Sequence, residues 1–120
     1  MKRVLLVEDH NVFREALATY LGQQTDIEVV AQAGSLSEVG GIHLDGIDVA
    51  LVKASLPDGD GADLVREMSE GNPRASALVL TTGLDPDTRS RALEAGASEM
   101  LTTAATLEGI ADAIRGFVGR

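Results

Sequence analysis

The chain has 120 residues, 44% of them apolar, enough for one domain with its own core. One Tyr, two Phe, no Trp and a net charge of −9 exclude an aromatic platform for single-stranded nucleic acid and argue against gripping a phosphate backbone. The absence of Cys excludes disulfides and thiolate metal sites.

In chain order, Arg3 to Val7 is a short β-branched apolar run and reads as a buried strand that stops at Glu8-Asp9. The run is too short for a signal-peptide core or a membrane helix, so no membrane partner and a cytoplasmic location are expected. Apolar residues Val12, Phe13, Ala16, Leu17, Tyr20 and Leu21 recur at helical spacing. They predict a helix from about Asn11 to Leu21, capped by His10 or Asn11 and stopped by Gly22. A second strand follows over Ile27 to Ala31. Ser35, with Glu38 three residues on, caps a short helix from about Leu36 to Ile42, which Gly40-Gly41 weakens.

The third strand spans Asp48 to Val52 and is closed by Lys53. A turn-rich loop follows through Pro57, Asp58, Gly59, Asp60 and Gly61, in which the two aspartates read as turn and cap residues. A third helix runs from about Ala62 to Glu70. The fourth strand, Ala77 to Leu80, ends at Thr81-Thr82. Asp85 as N-cap, Pro86 at the first helical position and Gly96 as stop bracket a fourth helix. The fifth strand covers about Ser98 to Leu101, and a last helix runs from about Leu107 to Val118 with Thr106 as its cap.

Five apolar strands alternating with five helices imply one parallel sheet with helices on both faces, since each crossover returns the chain in the same direction. In such a doubly wound sheet the working groups lie beyond the C-terminal ends of the strands. That rule selects Glu8-Asp9, Lys53, Thr81-Thr82 and Thr102-Thr103. His10 and His43 lack partners at metal-ligand spacing and read as surface residues. No glycine pattern for binding a dinucleotide is present.

Those selected positions resemble the response-regulator receiver family over essentially the whole chain. The acidic pair Glu8-Asp9 matches the family's magnesium-binding pair. Pro57 and Asp60-Gly61 fall at the family's offsets after the third strand. Thr81 matches its strand-end Thr or Ser, and Glu94 to Ala97 its turn before the fifth strand. The stretch from Val7 to Leu17 is similar to the branch that appends a helix-turn-helix of the NarL/FixJ kind. The resemblance implies one receiver domain over 1–120 with a flavodoxin-like α/β fold and strand order 2-1-3-4-5.

The departures from the family pattern carry the functional expectation. The family has a phosphate-accepting Asp at the end of the third strand, and this chain has Lys53. An ammonium cannot ligate magnesium and is not a nucleophile while protonated. The phosphoryl-pairing Lys after the fifth strand is replaced by Thr103. Thr82 replaces a small Ala or Gly, and Met100 replaces the aromatic that swings inward on activation. The chain is therefore expected to be a pseudo-receiver and not an enzyme, with no catalytic residue, no cofactor and no physiological magnesium, though residual binding at Glu8-Asp9 stays open. Lys53 is expected to pair with Asp9 or Glu8 rather than extend to solvent. Expected partners are a second copy or another regulator, and DNA only through a further domain beyond this chain. Two alternatives stand beside this reading: a small ligand in the vacated cleft, and phosphotransfer to a substitute acceptor such as Asp58 or Ser55.

Overall fold

A computed structural model describes residues 1–83, 85–102 and 105–116. The main sheet has five parallel strands, β1 (Lys2–Val7), β2 (Ile27–Ala33), β3 (Val49–Lys53), β4 (Ser76–Thr81) and β5 (Glu99–Thr102). Their spatial order is 2-1-3-4-5. The helices between them are α1 (Asn11–Gly22), α2 (Leu36–Val39), α3 (Gly61–Gly71), α4 (Pro86–Ala95) and α5 (Leu107–Arg115).

Strand periodicity divides the core between the two faces of the sheet. Val4, Leu6, Val49, Leu51, Leu78 and Leu80 point to one face, where α1 supplies Leu17 and Leu21 and α5 supplies Ile110, Ala111, Ala113 and Ile114. Leu5, Val7, Ala50 and Val52 point to the other face, against Val39 of α2 and Leu64 and Met68 of α3. Ala77 and Val79 share that face with Val65 of α3 and Ala92 and Ala95 of α4. Both faces of the central strands are covered, which is why they read as continuous apolar runs rather than alternating ones. Each fully buried Leu or Ile contributes about 2 kcal/mol by leaving water.

Several boundaries differ from the sequence expectation by a residue or two, β2 for example running on to Ala33, and the larger departures are the following. Gly22 does not stop α1: it forms the helix's last turn, and Gln23 caps it through N–H bonds to Tyr20 and Leu21 carbonyls. The expected helix over Leu36 to Ile42 is regular only to Val39. Gly40 and Gly41 add no side-chain packing, and the chain leaves the helix in a looser turn from Gly41 and Ile42 back to Glu38 and Val39. The turn-rich loop after Lys53 contains a small antiparallel hairpin, with Ser55 opposite Asp60 and Leu56 opposite Gly59. The last helix ends at Arg115 because Gly116 adopts a left-handed conformation and bonds back to Asp112 and Ala113. The positions beyond 116 expected to continue it lie outside the described residues.

Candidate functional site

The strand register brings the selected residues together. Val7 of β1 lies opposite Val52 of β3. The residues that follow, Glu8 just beyond β1 and Lys53 at the end of β3, therefore emerge side by side at the C-terminal edge of the sheet. Glu8 continues the strand pattern by donating its N–H to the Ala33 carbonyl at the end of β2. Lys53 is still in register with Leu80 on β4.

The Lys53 ammonium points across the end of β1. Its Nζ donates to Asp9 Oδ1 at 2.9 Å and lies 3.4 Å from Glu8 Oε2. Glu8 is 4% exposed, and its Oε2 also accepts the His10 backbone N–H at 2.9 Å. The side chains of Lys53 and Asp9 are more open, at 21% and 33% exposed. The hydrogen bond from Lys53 holds the Asp9 carboxyl below its ordinary range, against the opposing effect of burial. The hydrogen bond to Asp9, opposed by partial desolvation and helped by the Glu8 charge, raises Lys53 above the ordinary lysine value. The Asp9 carboxylate and the Lys53 ammonium thus each favour the other's charged form.

Two further residues fix this corner. Arg14, on the first turns of α1, donates Nη1 to the Glu8 carbonyl at 2.7 Å and pins the backbone where β1 ends. His10 caps α1 by accepting the Phe13 N–H on Nδ1 at 3.2 Å. Sequence reasoning identified His10 as a cap candidate but gave Arg14 no role, because a residue six positions beyond Glu8 shows its reach only once the helix direction is known.

The loop after Lys53 is held by its backbone. Gly61 N–H bonds to the Ala54 carbonyl and Ala54 N–H to the Leu80 carbonyl. Any Cβ at position 61 would collide with the Lys53 carbonyl oxygen and press on Val52, so glycine is required there. Pro57 is exposed at the hairpin turn. Asp60 does not cap α3 through its side chain; it forms an exposed ion pair with Arg91 of α4 at 3.2 Å. Asp58 instead caps α2 from a distance, accepting the Leu36 and Ser37 N–H groups on its two oxygens at 2.9 Å each. Those two amides hold the Asp58 carboxyl below its ordinary value.

At the end of β4, Thr81 is buried and its Oγ1 accepts the Gly83 N–H at 3.4 Å, a local backbone contact. Thr82 is exposed. Both line an open groove of about 350 Å³ with Ser55, Asp60, Thr88 and Arg91. Met100 is half-buried, lies opposite Val79 of β4 and packs on the cluster that α3 and α4 share. Thr103 lies outside the described residues.

Magnesium, implied by the resemblance, does not fit the groups present. It requires oxygen ligands at about 2.1 Å, and the third corner of this site is a donor-only ammonium already bonded to Asp9. With an effective dielectric constant of about 20, a divalent ion about 4 Å from an ammonium is repelled by roughly 8 kcal/mol, where a carboxylate would attract it by as much. Among the described residues no group of three or more His, Asp or Glu is arranged to hold a metal ion. No helix among them is long and apolar enough to cross a membrane.

Comparison with known proteins gives a consistent result. The family model described as "Response regulator receiver domain" matches residues 4–115. The DNA-binding transcriptional activator DevR/DosR of Mycobacterium tuberculosis is 36% identical over 99 residues, covering 82% of this chain and 46% of that protein. The chain spans about half the length of the curated relatives it matches. Among solved structures, the signal receiver domain of a response regulator named NarL from Mycobacterium tuberculosis superposes with a TM-score of 0.87 at 26% identity, covering 99% of this chain and 98% of that one. A response regulator from Burkholderia pseudomallei, solved with a phosphorylated aspartic acid, calcium ion and citrate, superposes with a TM-score of 0.82 at 26% identity, covering 95% and 66% of the two chains.

Proposed function

This chain belongs to the response regulator receiver domain family, and from that premise we propose that it is a pseudo-receiver. It is a non-enzymatic cytoplasmic module that signals by association, as a homodimer or with another regulator, and controls a transcription factor without accepting a phosphoryl group. The observation that carries this reading is Lys53 itself. A receiver's acceptor must be a carboxylate that attacks phosphorus and helps bind the metal. At the corresponding strand end this chain has an ammonium hydrogen-bonded to Asp9 and close to Glu8.

The alternatives gain less support. Asp58 has both carboxylate oxygens engaged by the N-terminal amides of α2, which leaves it poorly placed as a substitute acceptor. The polar groove beside Thr81 holds one cationic side chain, Arg91, and Asp60 already neutralises it. A small anionic ligand would have to break that pair. DNA contact belongs to a further domain, as the name of the mycobacterial relative suggests for that longer protein.

The test is incubation with acetyl phosphate and magnesium, followed by intact-mass measurement. The mass is expected to stay that of the unmodified chain. Stoichiometric addition of one phosphoryl group, at any residue, would overturn the reading.

A further inference from the structure

Glu8 and Asp9 place two carboxylates on consecutive residues at the end of β1, and Glu8 is nearly sealed from water. Adjacent like charges repel, and burial weakens the screening that would let them coexist. The arrangement therefore needs a compensating cation. Arg14 does not serve, because its Nη1 is bonded to the Glu8 carbonyl and not to either carboxylate. Among the described residues Lys53 is the cationic side chain in contact with the two carboxylates, and it reaches both.

How that cation is held distinguishes it from a free ion. Lys53 is part of β3 and keeps its backbone in register with Leu80, so its ammonium is always present at the pair. A free ion's occupancy would rise and fall with its concentration. The backbone from which the stem starts is fixed: Gly61 packs directly on the Lys53 carbonyl, which holds the strand end in place.

We propose that Lys53 is a tethered counter-cation that has taken the place of a dissociable divalent ion at Glu8-Asp9, making the pocket indifferent to divalent cations and holding the ends of β1 and β3 in one arrangement. The inference rests on the phosphorylation-independent reading and extends it, since it gives the ammonium a role in a site no longer used for phosphoryl chemistry. Its corollary is a latent metal site: removing the ammonium exposes two carboxylates, and Lys53→Asp supplies a third.

The test is thermal unfolding of the wild-type chain, Lys53→Ala and Lys53→Asp, with and without about 10 mM magnesium at matched ionic strength. That concentration saturates a site with a dissociation constant of about 1 mM, typical of a weak oxygen-ligand site. The wild-type midpoint is expected not to move. At least one variant is expected to gain roughly 4 °C with magnesium, and Asp9→Asn added to that same variant is expected to remove the gain. A magnesium-induced rise in the wild type, no rise in either folded variant, or a gain that survives Asp9→Asn would each overturn the inference. The two claims fail separately. A wild type stabilised by magnesium but left unmodified by acetyl phosphate removes this inference and keeps the functional reading. A phosphorylated wild type removes the functional reading, whatever the melting data show.

Discussion

Lys53 lies at the centre of the proposed site, and its pairing has a pH signature whose sign follows from the two shifts. The Asp9 pKa is lowered by its bond to Lys53, so Asp9 contributes stability that is present above its unfolded value of 3.8 and lost as pH falls through the folded value below it. The Lys53 pKa is raised by Asp9, so Lys53 contributes stability that is present below 10.5 and lost as pH rises through the folded value above it. The pair is therefore at full strength between about pH 4 and pH 10. Lys53→Met leaves Glu8 buried without its cation and is expected to cost about 1–2 kcal/mol at neutral pH, discounted from a fully buried pair because Lys53 and Asp9 are partly open. Urea unfolding of both proteins across pH should show this difference shrinking at both extremes. An unchanged stability at pH 7 would contradict the pairing energetics. Apolar runs placed Lys53 at a strand end, and only the resemblance to the receiver family marked it as standing where an Asp is expected. The role of Arg14 was not legible, since its contact is to a backbone carbonyl and leaves no mark on residue type.

At the scale of elements, the legible parts were those with periodic burial. β1, β3 and β4 are continuous apolar runs, and α5 shows its buried face as Ile110, Ala111, Ala113 and Ile114. The illegible parts were set by tertiary contacts. α2 has only four residues and takes much of its capping from Asp58, 22 positions away, in addition to its own Ser35. No local pattern announces a cap supplied from a distant loop. The hairpin after Lys53 is similarly short; Gly61 N–H bonds to the Ala54 carbonyl across its open end, and Asp58 at its tip bonds to α2. Asp58→Ala is expected to make the Leu36 and Ser37 amides exchange with solvent more than about tenfold faster while the amides of β1 and β3 keep their protection. Hydrogen exchange followed by NMR reads this directly. Loss of protection throughout the sheet would mean that Asp58 supports the whole fold rather than one helix end. At the opposite end of the molecule Arg115 closes α5 onto the start of β2, with Nε 2.7 Å and Nη2 3.0 Å from the Asp26 carboxylate and a further bond to Gln24. This tie too joins residues some 90 positions apart and had no sequence signal.

For the whole molecule, strand order 2-1-3-4-5 with all strands parallel places the first strand beside the third and gathers the ends of β1, β3 and β4 at one edge. Under the proposal made above, that gathering is used differently from a switchable receiver's, because an ammonium lies at the end of β3. A switchable receiver has two conformations whose balance a phosphoryl group shifts, and a ligand with no differential affinity shifts nothing. If Lys53 stays bonded to Asp9, as proposed, a phosphoryl mimic meets an ammonium at the end of β3 and gains no metal at Glu8-Asp9. The most direct test of this claim is the two-dimensional amide NMR spectrum of the chain before and after addition of beryllofluoride and magnesium. The account predicts superimposable spectra, including the amides of Glu8, Asp9, Lys53 and Thr81. Saturable shifts centred on those amides would show that the site still binds the mimic and would contradict it.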